Sequence, residues 1–140
     1  MNRPTIIALC IFMVAPILTF GDEKVPADNL ILLPVKNDPT VSFRIWFKVG
    51  SQNDPAGKEG LASITASMLT DAATQKNGYE QVLDKLFPLA SNYNASTSAE
   101  MTVIVGRTHK DNLKEFYPLL TDAILSPAFK QEDLDRIKSE

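Results

Sequence analysis

The chain has 140 residues, 44% of them hydrophobic and 22% charged, which suits a globular protein with one core and not two. A net charge of −3 speaks against nucleic acid as a partner, because phosphate binding favours a basic face. No run of like charges reads as a solvated tail or a membrane patch.

Arg3 precedes an apolar run from Ile6 to Phe20 that only Pro16 and Thr19 interrupt, and Asp22-Glu23-Lys24 follow it. A positive start, a short apolar stretch and a small residue before the charges read as a signal peptide over residues 1–21, cut near Gly21. The run is shorter than the ~20 residues a spanning helix needs, so no stable membrane span is expected after cleavage. The expected location is extracytoplasmic, either periplasmic or secreted. Cleavage removes Arg3 and no acid, moving the net charge from −3 to −4. It also removes Cys10, the only cysteine, and with it any disulfide, thiol nucleophile or cysteine metal ligand.

Residues 22–29 are polar, contain Pro26 and read as a lead-in. Leu30-Ile31-Leu32-Leu33 predicts a strand ended by Pro34, and Lys36-Asn37-Asp38-Pro39 a turn. Val41, Phe43, Ile45, Phe47 and Val49 alternate with Ser42, Arg44, Trp46, Lys48 and Gly50, the clearest strand pattern in the chain. A hairpin of these two strands is the expected pairing. Ser51–Glu59 holds Asp54-Pro55 and Gly57 and reads as a loop.

From Gly60 the period becomes helical, with Leu61, Ile64, Met68 and Leu69 on one stripe. A second helical pattern follows Asn77-Gly78 in Val82, Leu83, Leu86 and Phe87, halted near Pro88. Tyr93–Gly106 reads as one strand, polar first and apolar later. Leu113, Phe116, Tyr117, Leu120 and Ile124 have helix spacing with Asp111 as N-cap, and Pro118 either kinks or shortens that helix. Asp133–Glu140 looks helical with no terminator, as in a chain cut from a longer one or a natural end that frays. The expected class is α+β, an antiparallel sheet with helices packed on one face.

Few residues carry chemistry. His109 is the single histidine, and beside Arg107 and Lys110 it reads as a solvated loop residue, since histidine ligands come in clusters. Ser63 and Ser67 lack a nearby His or Lys to activate them as nucleophiles. Asp71 and Glu80 could pair as acid and base, although isolated surface carboxylates are commoner. Asn94-Ala95-Ser96 fits a glycosylation sequon, a frequent chance match.

Lys48-Val49-Gly50-Ser51, Asp54, Gly57-Lys58, Gly60-Leu61-Ala62, Asn94-Ala95-Ser96-Thr97-Ser98, Leu125-Ser126-Pro127-Ala128-Phe129 and Glu132–Arg136 occur in that order. The ordered set resembles the N-terminal part of the insulinase/pitrilysin family of zinc peptidases, inverzincins by motif. The resemblance implies a LuxS/insulinase-like metallopeptidase fold, here partial, over residues 22–140. In active members, Gly-Leu-Ala is followed by H-x-x-E-H, which places two zinc-binding histidines one helical turn apart and a general base beside the second.

Those positions in this chain are Ser63, Ala66 and Ser67. A serine hydroxyl is a poor zinc ligand beside imidazole, and alanine accepts no proton. The expectation is therefore no catalytic residue, no metal and no cofactor in this chain, with zinc only in an active partner or paralogue. The resemblance also implies that Asn94, Ala95 and Thr97 lie on an edge strand that pairs with an extended peptide. The expected role is a non-catalytic, peptide-binding half of a zinc peptidase. Its expected partners are peptides or unfolded polypeptide and a motif-bearing homologous subunit. The alternative is a fragment of an active zinc metallopeptidase whose H-x-x-E-H lies in another repeat or subunit. A peptide-binding scaffold without a protease partner is a third reading.

Overall fold

The computed structural model describes residues 29–140, so the expected leader lies outside the described residues. The compact unit Val35–Glu140 carries every strand and α-helix described. Strand β1 (Thr40–Phe47) precedes helices α1 (Leu61–Thr70) and α2 (Tyr79–Leu86). Strands β2 (Asn92–Thr97) and β3 (Thr102–His109) follow, then α3 (Leu113–Leu125) and α4 (Gln131–Ser139). The sheet is antiparallel with order β1-β3-β2. The expected α+β class, with helices on one face of the sheet, holds.

Two expectations about the strands fail. Leu30–Leu33 forms no strand and no hairpin with β1, whose partner is β3 throughout. A continuous apolar run has no period to fix a register, whereas the alternation of β1 matches Ile45 to Ile104 and Trp46 to Val103. The stretch Tyr93–Gly106 is two strands and not one. Its polar part is β2, its apolar part is β3, and the turn between them is closed by Ser98 N–H donating to the Met101 carbonyl at 2.8 Å. A polar strand at the border and an apolar one in the centre is what burial demands of each position. The Lys36–Pro39 turn is present, with Asn37 left-handed at φ 65°.

The core lies between one sheet face and the helices. Ile104 is fully buried in β3, against Phe116 and Leu120 of α3, Val82 and Leu86 of α2, and Tyr93 of β2. Phe43 and Ile45 of β1 and Ala95 of β2 pack against this cluster. Gly106 makes room for Phe116: a Cβ there would stand 3.1 Å from the phenylalanine ring. Burying side chains of this size stabilises the fold by roughly 1.5–3 kcal/mol each.

Other expectations shift in detail. The alternation of β1 predicts Phe47 and Val49 on its buried face, but both are exposed: they border a cavity whose other walls include Leu61, Ala62 and Leu69 of α1. Pro118 neither ends nor shortens α3, which runs through it; the bond forfeited is the one its missing N–H would make in the second turn. Asp111 is not the cap of α3. It lies in a 3₁₀ turn over Lys110–Asn112, and its N–H donates to His109 Nδ1 at 3.3 Å. Helix α4 begins at Gln131, two residues before Asp133, and Asp133 is buried.

Candidate functional site: helix α1 and the β2 edge

Helix α1 is held at its start by a residue outside it. Asp54 accepts from the Gly60 N–H at 2.7 Å and from the Ala62 N–H at 2.8 Å, one carboxylate oxygen each. Free amides at a helix start favour such an anion, and the left-handed φ of 92° at Gly60 turns the chain into the helix. The loop before it is fixed to the β2–β3 turn, since Ser51 and Gln52 donate to the Ser98 and Ala99 carbonyls at 3.0 Å each. That approach requires glycine at 50, where a Cβ would stand 2.5 Å from both carbonyl oxygens. Thr102 Oγ1 donates to the Val49 carbonyl at 2.9 Å on the other side of the contact.

Ser63, Ala66 and Ser67 all lie in the first two turns of α1, and α1 packs chiefly on β2. Ser63 is exposed, Ser67 half-buried and Ala66 buried. Of the three, Ala66 alone borders an apolar cavity of about 290 Å³, whose other walls include Phe47, Val49, Leu61, Ala62 and Leu69. The donor set decides the fit of the zinc that the resemblance implies. Two hydroxyls and a methyl group offer no imidazole and no carboxylate, so these residues do not fit a catalytic zinc. Among the described residues there is also no group of three or more His, Cys, Asp or Glu arranged to hold a metal.

Strand β2 borders the sheet. It pairs with β3 on one side, and no strand among the described residues lies on the other. Asn94 is exposed, Ala95 faces the core, and Thr97 Oγ1 lies 3.2 Å from Thr102 Oγ1. The fold thus brings the helix with the substituted motif and the strand with Asn94, Ala95 and Thr97 against one another. His109 ends β3 at the far end of the sheet, with its Nδ1 3.4 Å from an Asp111 carboxylate oxygen.

Asp71 and Glu80 do not pair. Asp71 accepts from the Tyr79 hydroxyl at 3.1 Å and lies 3.7 Å from Arg136, whose guanidinium also donates to the Asp71 carbonyl. Arg136 stands over the Tyr79 ring at 3.9 Å and lies 3.8 Å from Asp133. Asp133 accepts from the Ala73 N–H at 3.0 Å. Burial, then the bond to Asp71, pushes the Tyr79 phenol up. This cluster ties α4 to the end of α1 and the start of α2. Its signal in the sequence was absent, because its members are far apart in the chain; Asp54 stood out only as a piece of the family pattern.

Comparison with known proteins agrees with this architecture. Residues 30–140 match the family Insulinase (Peptidase family M16). A probable mitochondrial-processing peptidase subunit alpha from Schizosaccharomyces pombe is 27% identical over 90 residues, covering 64% of this chain and 18% of that protein. The inactive domain of a peptidase M16 from Pseudomonas fluorescens superposes with a TM-score of 0.66 at 22% identity, over 72% of this chain and 24% of that one. A protease from Helicobacter pylori gives 0.63 at 24% identity, over 71% and 24%. The chain therefore spans about a fifth to a quarter of these relatives. With the family matched across most of its length and the fold shared, this chain belongs to the insulinase family of peptidases.

Proposed function

We propose that this chain is a non-catalytic member of its family that binds extended peptides along β2 and works beside a motif-bearing homologous subunit. The observation that carries the reading is the pairing of an α1 without imidazole or carboxylate at the motif positions and a β2 with no strand on its outer side among the described residues. An added peptide would take main-chain hydrogen bonds from the open edge of β2, which gives affinity tolerant of sequence. Exposed Asn92, Asn94 and Ser96 keep that edge polar, which suits a strand that must accept ligands without aggregating. Ser63 and Ser67 would then border the bound peptide without acting on it. A zinc held by the partner subunit would supply the hydrolytic chemistry. The relative that is a peptidase subunit alpha, and the structural neighbour that is an inactive domain, support a subunit role.

Hydrogen exchange tests the edge. Protection of the amides of residues 92–97 is expected to rise when an extended peptide is added. A peptide N-methylated at alternate residues, which cannot donate along one side, is expected to lose that effect. Equal protection by both peptides, or by neither, contradicts the reading.

The share of the relatives that the chain covers favours one second reading, a fragment of a longer zinc peptidase with H-x-x-E-H in another repeat or subunit. Sequencing the complete coding region decides it, since a downstream H-x-x-E-H makes the parent an enzyme.

A further inference from the structure

The side chains of the sheet alternate between the packed face and a second face on which no described helix lies. That second face carries Arg44 and Trp46 from β1, Val103, Val105 and Arg107 from β3, and the short polar residues of β2. Trp46 is 57% exposed, and both arginines are exposed. The face holds no carboxylate, although the chain as a whole is net negative. Its acids stand at the rim. Asp38, whose carboxyl is held low first by its hydrogen bonds to Thr40, lies near Arg107, and an Asp111 carboxylate oxygen lies 3.4 Å from His109 Nδ1. Arg107 Nη2 reaches Thr40 Oγ1 at 3.4 Å, and neither arginine forms an ion pair among the described residues.

We propose that this open sheet face selects acidic peptides: a segment added beside β2 with Asp or Glu at alternate positions turns those carboxylates onto the face, toward Arg107 and, beyond it, Arg44. The inference rests on the peptide-binding reading and names the class of peptide. A strand added beside β2 directs every second side chain to this face, two strand spacings, or roughly 10 Å, from β3. Over the short side chains of β2, an arginine and a glutamate span that gap between them, and Arg44 extends the positive field beyond it. Because the charges are exposed, the preference weakens as salt screens them.

Trp46 is the only tryptophan, so its fluorescence reports this face directly. Three peptides of one length are titrated, with Glu, Gln or Lys at alternate positions, while the amides of β2 are followed by hydrogen exchange. The Glu peptide is expected to bind tightest and to shift Trp46 emission. In the double variant Arg44→Glu/Arg107→Glu, checked for its fold by circular dichroism, the Glu peptide is expected to weaken roughly three- to tenfold and the Lys peptide to gain. Equal protection of β2 by all three peptides, unchanged in the variant, overturns the acidic preference and leaves the edge reading intact. No protection by any peptide sinks the edge reading as well. Binding of single-stranded DNA or anionic vesicles as tight as that of the Glu peptide overturns the assignment to polypeptide.

Discussion

The two faces of the sheet are made by the same strands one residue out of step, and they do different work. In one row Ile45, Ile104 and Ala95 lie side by side under the helices; in the next Trp46, Val103 and Ser96 lie side by side without them. The first row excludes water and carries stability. The second keeps large and charged groups in solvent, where they add little to stability and are available to a ligand. Stability thereby falls to one face, and the recognition that we propose would fall to the other, along a period of two.

Substitutions that cross between the faces give the sharpest contrast. Phe116→Ala empties the centre of the covered face and is expected to cost about 3–5 kcal/mol, whereas Trp46→Ala on the open face is expected to stay within about 0.5 kcal/mol. Urea denaturation checks both, and comparable losses would break the distinction. Gly50→Ala tests how the β2–β3 turn is held to the loop before α1. With two carbonyl oxygens 2.5 Å from the added carbon, a loss of about 1–3 kcal/mol is expected, read as a lower urea midpoint.

The covered face also has a pH signature. Burial first, then Asp122 and Asp71, pushes the Tyr93 phenol up to about 12 from 10.0. Above pH 10 the unfolded chain releases this proton and the folded chain keeps it. The stability linked to Tyr93 is therefore complete below pH 10 and is lost as pH rises toward 12, by about 1–2 kcal/mol. Tyr93→Phe is expected to show a smaller fall in melting temperature between pH 9 and 11 than the parent. An identical fall would mean that the phenol is not buried as described. Asp54→Ala, which frees two amides at the start of α1, is expected to cost about 1 kcal/mol, read as a lower urea midpoint.

What could be read beforehand was whatever repeats locally. The alternation of β1 and the stripe of α1 each bury a face against the core, so period alone identified them. The split between β2 and β3 was hidden because Ser98-Ala99-Glu100 lacks the Gly, Asn or Pro that usually marks a turn. That turn is fixed by the Ser98 side chain and by the approach to Gly50, a contact between distant parts of the chain. Asp133 was hidden for the same reason, since the Ala73 N–H that it accepts from meets it only when α4 packs on α1. At the candidate site the sequence showed which donors are missing from α1. It could not show that Ala66 borders an apolar cavity while Ser63 and Ser67 do not, because that depends on the open end of β1.

We propose, above all, that α1 does not fit a catalytic zinc and that this chain by itself breaks no peptide bond. Zinc content of the purified protein, measured together with peptide turnover with and without a chelator, tests it most directly. The account predicts substoichiometric zinc and no turnover for the chain alone, with chelator-sensitive cleavage only when a motif-bearing homologue is added. One tightly held zinc per chain, with peptide cleavage that a chelator abolishes, would contradict it.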